Sequence, residues 1–335
     1  MSAPGTFVKS ASSVYLEYGY ETNFGGGVTN PPMLFGKEVK ASSLEFKNNQ
    51  MPLGQLYTPE IESFAYGRNE GKLSVEYVLS NPWFLQSIFG VATSADADGG
   101  GSGTVYTHTW SSNPSTDAEI RDLSSMALRI GFNVGAGSAD DFVRKPIGAV
   151  CNAMTMRMAI NETVKITQEI LWGNESVSET FATPTGAILA GEAPYTFVHA
   201  VITSPLTGST LATVQTFDLN LNTNAELLYE LGGATSKDAW RKLLEMTGKV
   251  GITVKDSDFL NEVYSRSETS NNLVVTISNG ASGNALRNIV MTFSGVSFST
   301  HNTTGIAPGE LVLQNVDFQA RSASIVAKNQ ASAVP

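Results

Sequence analysis

The sequence predicts a mainly β protein that contains two copies of one module, each with a short α-helix. The composition is that of an ordinary globular chain, with 41% hydrophobic residues and 31 glycines among 335 residues. Apolar and polar residues alternate through many short segments separated by small and polar residues, which is typical of half-buried strands joined by turns. The third observation is a strand-and-helix motif that occurs twice.

The repeated motif is a Gly-Lys strand followed by a short amphipathic helix. Its first copy runs from 71–78 into 82–89, and its second copy runs from 248–255 into 258–264. Bulky apolar residues at positions i, i+1, i+4 and i+5 give each helix one apolar side. The predicted core anchors are Phe84, Leu85, Ile88, Phe89, Phe259, Leu260, Val263 and Tyr264. A chain of 335 residues is long enough for two domains of this kind.

The elements of the first copy follow in order along the chain. Residues 1–36 are rich in Gly, Asn, Pro and aromatic residues, which favours an extended arm with turns. The alternating segment 39–47 predicts the first strand, and residues 48–70 are expected to be irregular. The Gly-Lys strand and its helix follow, and Gly90 ends the helix. Further strands are predicted at 105–110, 126–133, 148–159 and 164–172, with a flexible loop at 92–104 and a linker at 173–194.

The second copy follows this linker. Its strands are predicted at 214–221, 248–255, 272–278, 288–299 and 310–320. An additional helix is predicted over 236–246, because Trp240, Leu243 and Leu244 recur at helical spacing. The tail after Arg321 is expected to be an exposed arm.

The correspondence between the copies extends beyond the motif. Residues 44–46 match 217–219, residues 130–132 match 275–277, and residues 154–156 match 291–293. Because the offset between the copies shrinks along the chain, we infer an insertion at 92–125 in the first copy. The predicted organisation is an N-terminal extended arm at 1–36, a first β domain at 37–186, a second β domain at 187–325 and a C-terminal tail at 326–335.

Charge and cysteine content restrict the function classes. The net charge of −10 disfavours stable binding to nucleic acid, because phosphate affinity comes from Lys and Arg. The single cysteine, Cys151, lies in an apolar run, which predicts a buried thiol and excludes an intramolecular disulfide. No apolar run reaches the roughly 20 residues of a membrane span. Residues 1–13 do not have the layout of a signal peptide, so we expect folding inside a cell.

The sequence contains no recognisable catalytic or metal-binding pattern. The three histidines, His108, His199 and His301, are far apart and have no metal-ligand spacing. The glycine run at 99–103 lacks the Lys-Ser/Thr of a phosphate loop. We therefore expect a protein that is not an enzyme and that uses no cofactor and no metal.

The chain resembles the tail tube proteins of tailed bacterial and archaeal viruses over most of residues 36–325. The segments that carry the resemblance are Gly-Lys-Glu-Val-Lys-Ala-Ser at 36–42, Gly-Lys-Leu-Ser-Val at 71–75 with Asn-Pro-Trp-Phe-Leu at 81–85, Arg-Lys-Pro-Ile-Gly-Ala-Val at 144–150 and Arg-Asn-Ile-Val-Met-Thr-Phe at 287–293. The resemblance implies a β-sandwich flanked by a helix, and sheets that join between subunits into a β-barrel channel. In that family, rings of six such domains stack into a tube.

Two tandem tube domains per chain then imply a trimeric ring with pseudo-sixfold symmetry. The resemblance further implies a structural virion protein of the viral tail, assembled in the host cytoplasm, whose channel conducts the genome during ejection. The implied partners are further copies of the chain, the tape-measure, baseplate and tail-terminator proteins, and double-stranded DNA that passes without specific binding. No membrane partner is implied.

The acidic balance suggests a channel wall with excess carboxylates, which would repel DNA phosphates. The channel-lining candidates are Glu45, Lys47, Glu76, Asp218, Asn220 and Lys255, and the alternative is that they are ordinary solvent-facing positions. The arm at 1–36, the loop at 92–104 and the C-terminal tail are candidates for contacts between stacked rings.

Two alternative functions remain open from the sequence. One is another viral structural protein, such as a capsid decoration or baseplate component on a related sandwich. The other is a non-enzymatic β-sandwich module for binding or adhesion, although the sequence contains no secretion signal, calcium loop or aromatic platform that would favour it.

Overall fold

The computed structural model describes residues 14–27, 33–54, 61–96, 105–112, 123–132, 142–178, 194–211, 214–254, 257–280, 287–305, 307 and 312–329. These residues are mainly in β-strands, which confirms the predicted class. The strands of the first half are β1 (Val14–Tyr20), β2 (Met33–Leu34), β3 (Lys37–Lys47), β4 (Met51–Gly54), β5 (Ile61–Ala65), β6 (Glu70–Val78), β7 (Thr93–Asp96), β8 (Tyr106–Ser111), β9 (Met126–Phe132), β10 (Phe142–Ile147), β11 (Val150–Ala159), β12 (Lys165–Trp172) and β13 (Asn174–Ser178). A 3-10 turn at Trp83–Leu85 leads into helix α1 (Gln86–Phe89).

The second half follows with one longer helix. Its strands are β14 (Ala200–Thr203), β15 (Val214–Asn222), β16 (Ala225–Tyr229), β17 (Ser236–Arg241), β18 (Glu245–Thr253), β19 (Leu273–Ser278), β20 (Asn288–Thr304) and β21 (Leu313–Asn329). Helix α2 (Asp258–Ser265) lies between β18 and β19, and a 3-10 turn at Phe197–His199 precedes β14.

Most strands belong to one antiparallel sheet, here called the long sheet. Its order is β14, β19, β20, β21, β18, β15, β11, β12, β6 and β3, and the β7–β8 hairpin joins it through β21. A second sheet has the order β13, β10, β9, β1 and β2. Two separate hairpins, β4–β5 and β16–β17, complete the strands. The long sheet carries both copies of the Gly-Lys motif, on β6 and β18.

The order of strand pairing repeats within the long sheet. Starting at β20, the first set of four strands is β20, β21, β18 and β15. The next set of four is β11, β12, β6 and β3. In each set of four, the glycine of the Gly-Lys strand lies opposite an apolar residue of the fourth strand. Phe46 lies opposite Gly71, and Leu219 lies opposite Gly248. The antiparallel pair β11–β15 joins the two sets.

The connections between these strands also repeat. A hairpin is inserted between the fourth and third strands of each set: β4–β5 lies between β3 and β6, and β16–β17 lies between β15 and β18. A helix follows the Gly-Lys strand in both halves, as the sequence predicted. The β7–β8 hairpin has no counterpart in the described residues of the second half, and it lies inside the insertion inferred at 92–125.

Helix α1 and the 3-10 turn before it are held by a local side-chain hydrogen bond, a terminal glycine and a buried glutamine. The Asn81 side chain accepts a hydrogen bond from the backbone N–H of Trp83 at 3.2 Å. Gly90 ends the helix with a φ of +85°, a conformation that favours glycine. Gln168 on β12 donates to Ser87 Oγ at 3.1 Å, which ties the helix to the sheet. Both partners are buried, so the bond has no competition from water.

The helix predicted over 236–246 is wrong. Residues Ser236–Arg241 form β17, which pairs with β16, and the chain then enters β18 at Glu245. Ala239 and Arg241 face inwards, while Trp240 is 44% exposed and Leu243 is 62% exposed. The apolar residues at helical spacing therefore do not form a buried stripe, because hairpin pairing decides the local structure.

Several segments expected to be irregular contain strands. The expected arm at 1–36 contributes β1 and β2, with Tyr18 and Tyr20 buried against the core. The irregular segment 48–70 contains the β4–β5 hairpin, and the linker 173–194 begins with β13. The tail after Arg321 is not an exposed arm as far as Asn329, because it continues β21 between β20 and β8. Tertiary pairing accounts for all four differences.

The register does not support the match of residues 154–156 with 291–293. Met154 lies opposite Gln168 on β12. The glutamine in the equivalent place on β21 is Gln314, and the residue opposite it is Thr303. Met291 lies further back on β20, opposite Ile325. Alternation with a period of two is common to all half-buried strands, so it matched two segments that are not equivalent.

Candidate functional site

The candidate site is the solvent-facing side of the long sheet, here called the polar face. Side chains alternate along a strand, so β6 buries Leu73 and Val75 on one side and presents Lys72, Ser74 and Glu76 on the other. The same alternation is present in β12, β11, β15, β18 and β21. The polar face therefore extends without interruption across the β11–β15 junction.

Five of the six predicted channel-lining residues share the polar face. They are Glu45, Lys47, Glu76, Asp218 and Asn220. The sixth, Lys255, lies outside the described residues.

A continuous row of side chains links the candidates of the two halves. Glu76 lies opposite Thr167 on β12, and Thr167 lies opposite Thr155 on β11. Thr155 in turn lies opposite Asn220, and its hydroxyl donates a hydrogen bond to Asn220 Oδ1 at 2.9 Å. Residues far apart in sequence thus form one surface through four adjacent strands.

Three basic side chains of the polar face are paired with carboxylates. The ion pairs join Lys72 to Glu169 at 2.6 Å, Lys47 to Glu70 at 3.3 Å and Arg157 to Asp218 at 3.9 Å. The pairs lie between neighbouring strands or at their ends, where opposite charges add to cross-strand stability. Exposed pairs of this kind contribute little to folding, and their main effect is to neutralise the face locally.

The polar face carries mixed charge. The row of residues that crosses β12, β11, β15, β18 and β21 consists of Lys165, Arg157, Asp218, Lys249 and Asp317. Three of these five side chains are basic and two are acidic. The excess of carboxylates expected from the net charge is therefore not concentrated on this part of the face.

The helix anchors are placed differently in the two halves. Phe84, Leu85, Ile88 and Phe89 are all buried in the main core. In α2, Phe259 is 4% exposed and packs edge-to-face on Phe298 at 5.3 Å, and Leu260 and Val263 are half-buried. Tyr264, expected in the core, is 73% exposed. It lies about 140° around the helix from Phe259, outside the side that contacts the sheet.

His108 packs against two aromatic rings and makes two side-chain hydrogen bonds. Its ring lies 5.0 Å from the ring of Trp83 and 6.1 Å from that of Trp110. Its nitrogens hydrogen-bond to Ser94 Oγ at 2.7 Å and to Asn329 Oδ1 at 3.0 Å. Across the described ranges, no cluster of three or more His, Cys, Asp or Glu side chains could hold a metal ion.

Cys151 is fully buried, as the sequence predicted. Burial raises the pKa of the Cys151 thiol to about 12, so the thiol is protonated at neutral pH. A protonated, inaccessible thiol is neither a nucleophile nor a metal ligand.

Sequence reasoning missed the surfaces at the ends of the sheet. β3 is the last strand at one end, and its Phe46 is 39% exposed. The neighbouring hairpin β4–β5 exposes Met51, Leu53, Ile61 and Phe64. The apolar residues at 51–65 could have indicated this exposed hairpin, but the segment is short and its apolar alternation is weak.

The fold and the polar face define a β-structural protein with an unusually extended antiparallel sheet. None of the helices in the described part of the chain has the length and apolar character needed to cross a membrane. A family model described as phage tail tube protein matches residues 65–320, and the chain therefore belongs to the phage tail tube protein family. No curated protein matches the sequence.

Proposed function

We infer that this chain is the major tail tube subunit and that three chains close into one ring with pseudo-sixfold symmetry. The observation that carries this proposal is the β11–β15 junction, which joins two sets of four strands with the same pairing order inside one chain. Each set would belong to one tube domain, with residues 37–186 and 187–325 as the tandem pair. One chain would then supply two of six ring positions.

Ring closure has a physical reason in the geometry of the long sheet. An open sheet leaves a row of unpaired backbone groups at each end, and such edges promote association with other chains. Joining the long sheets of three chains through such edges would close them into one β-barrel and pair the edges that meet. The junction between chains would repeat the junction already present between β11 and β15.

The polar face would line the channel. Glu45, Lys47, Glu76, Asp218 and Asn220 all lie on it, so they remain our channel-lining candidates together with Lys255. Phosphate binding by Lys and Arg would have to compete with the carboxylates that already hold Lys72 and Arg157. Mixed and mutually paired charge, rather than net repulsion, would let double-stranded DNA pass without specific binding during ejection.

The remaining contacts of the subunit follow from its place in a tail. Rings would stack into a tube through surfaces at the two ends of the barrel. The arm at 1–36, the loop at 92–104 and the C-terminal tail at 326–335 stay candidates for these contacts. Tape-measure, baseplate and tail-terminator proteins would be the partners along and at the ends of the tube, and assembly would take place in the host cytoplasm.

Electron microscopy of the purified protein tests this proposal. We expect hollow rings or stacked tubes in negative stain at high protein concentration. Monodisperse monomers at the same concentration, without rings, would contradict it. A parallel titration with fluorescent duplex DNA at low salt should give no saturable binding to the assembled protein.

A further inference from the structure

The outer edge of β13 is open, whereas the corresponding edge in the second half of the chain is covered. β13 is the last strand of the second sheet, and among the described strands it pairs only with β10. Its counterpart is the part of β21 after Arg321, which pairs with β20 on one side and with β8 on the other. An open strand edge presents unpaired backbone groups and is a template for the addition of another strand.

Two glycines in the left-handed backbone conformation align these strands. Gly148, with a φ of +63°, lies between β10 and β11. Gly295, with a φ of +61°, lies between the two paired segments of β20. In both halves the pairing partner runs on past this point, because β12 continues into β13 after Gly173 and β21 continues after Arg321. Counting from the two glycines therefore aligns β13 with the end of β21.

This alignment places Val177 where Ile325 lies in the second half. Arg144, four residues before the first glycine, lies opposite Val177. Met291, four residues before the second glycine, lies opposite Ile325. Trp110 of β8 lies opposite Ile325 on the other side, and both side chains are buried. Val177 is 65% exposed, so β13 has an apolar residue at the place that an aromatic residue covers on β21.

The charged side chains beside Val177 are already paired. Glu175 is buried and forms an ion pair with Arg144, whose Nη2 donates to Glu175 Oε2 at 2.8 Å. The indole N–H of Trp172 donates to the same carboxylate at 3.0 Å. A strand added to β13 would therefore meet an apolar surface at Val177, and an apolar side chain would fit there better than a charged one.

The opposite side of β13 carries a lysine that forms no ion pair within the described ranges. Lys145 is half-buried and lies opposite Ser176. Because neighbouring strands are about 4.8 Å apart, a residue added opposite Ser176 would lie about 10 Å from the backbone of Lys145, within reach of two long side chains. The second half has Thr292 and Ser111 at the corresponding positions. A carboxylate on the added strand would therefore pair with Lys145, a contact that the second half does not have.

We propose that β13 is a docking edge for an extended segment of another protein, which adds as an antiparallel strand. The segment places a large apolar residue opposite Val177 and an acidic residue opposite Ser176. Backbone hydrogen bonds would supply affinity, and these two side chains would supply specificity. Because β8 already covers the corresponding edge of β21, each chain offers one such site. The site lies on a single chain and does not depend on the proposed ring.

A peptide with the sequence of β8 is the probe, because β8 covers the corresponding edge. Fluorescence anisotropy of a labelled peptide of residues 105–112, titrated with the full-length protein, should give saturable binding at one peptide per chain. The residues Trp110 and Ser111 of the peptide would lie opposite Val177 and Ser176. A Ser111→Glu peptide should bind about two- to fivefold more tightly at low salt. Lys145→Met in the protein should remove this gain.

Two exposed valines provide the test and its matched control. Val177→Asp should weaken peptide binding by about tenfold or more, because a carboxylate replaces the apolar contact. Val201 is 44% exposed on β14, an edge strand of the long sheet, and Val201→Asp should leave binding unchanged. Undiminished binding by Val177→Asp, or no saturable binding by wild type, would overturn the docking edge. Binding to monomers that is lost in assembled tubes would also overturn it, since a further copy of the chain would then cover β13.

Discussion

The ring of Trp172 covers Gly71 across the β6–β12 pair. A Cβ added at Gly71 would lie 2.0 Å from Trp172 Cε2, so only glycine allows this contact. The Trp172 indole N–H donates to Glu175 Oε2 at 3.0 Å, which fixes the ring in this position. The second half repeats the arrangement, because a Cβ at Gly248 would lie 2.5 Å from Phe318 Cζ. The glycine of each Gly-Lys motif therefore packs against an aromatic ring of the neighbouring strand.

This contact predicts that even the smallest substitution at Gly71 destabilises the fold. Gly71→Ala should lower the free energy of unfolding by about 1–3 kcal/mol, because the added methyl group displaces the Trp172 ring or the strand. Urea denaturation followed by tryptophan fluorescence measures the change. Gly233→Ala is the control, because an added Cβ there meets no atom closer than 3.5 Å. Equal free energies of unfolding for Gly71→Ala and Gly233→Ala would mean that the position of the Trp172 ring does not depend on glycine.

Helix α1 should be far less tolerant of truncation than the exposed side of α2. Phe84 is 2% exposed, so Phe84→Ala should destabilise the protein by about 3–5 kcal/mol, or prevent soluble expression. Tyr264 is 73% exposed, and Tyr264→Ala should change the monomer's stability by less than about 0.5 kcal/mol. Thermal unfolding by circular dichroism compares them. A destabilisation at Tyr264 as large as at Phe84 would refute the observed placement of α2.

Arg241 should stabilise the contact between the two halves. Its guanidinium is buried and donates to the carbonyl of Ile88 near the end of α1, and burial lowers the pKa of Arg241 below its usual value. Arg241→Met should cost about 1.5–3 kcal/mol, the range for hydrogen bonds to charged groups. Lys237→Met on the exposed side of the same strand is the control. Hydrogen exchange at the end of α1 should quicken only in the Arg241 variant, and unchanged exchange would exclude this role.

Glu70 predicts an acid-dependent loss of stability. Burial tends to raise the pKa of Glu70, but hydrogen bonds from Asn49, Lys47 and Arg68 outweigh burial and hold the pKa below its usual value of 4.5. Folding therefore favours the carboxylate, and its contribution is present above pH 4.5 and disappears as the pH falls through the lowered pKa. The stability of wild type should fall more steeply below pH 4.5 than that of Glu70→Gln. Urea midpoints measured across a pH series give the pH dependence of stability for wild type and for Glu70→Gln, and Glu230→Gln is the control. Parallel curves for wild type and Glu70→Gln would contradict the prediction.

The sequence predicted the elements whose periodicity agrees with their burial. The Gly-Lys strands, the hairpin of β11 and β12, and both short helices are present because apolar residues recur at the period of the structure they form. The mainly β fold class followed from the same alternation. Charge on the polar face could not be predicted from the net charge, because pairing across strands decides which Lys and Glu side chains meet.

The failures have physical causes in long-range pairing. The apolar spacing of Trp240, Leu243 and Leu244 is compatible with a helix. Pairing of β17 with β16 instead leaves the side chains of Trp240 and Leu243 exposed. The end of β21 alternates small residues, including Ala323 and Ala327, which give a weak hydrophobic signal and are buried only because β8 and β20 flank them. No local pattern encodes these neighbours.

The mass of the smallest closed assembly tests the central claim most directly, because two ring positions per chain fix the number of chains. Native mass spectrometry of rings released from tubes should give three times the 35.6 kDa of one chain. Averaged top views of the same rings should have six similar lobes that alternate between two shapes. A ring mass of six chains would contradict the account, since each chain would then supply a single position.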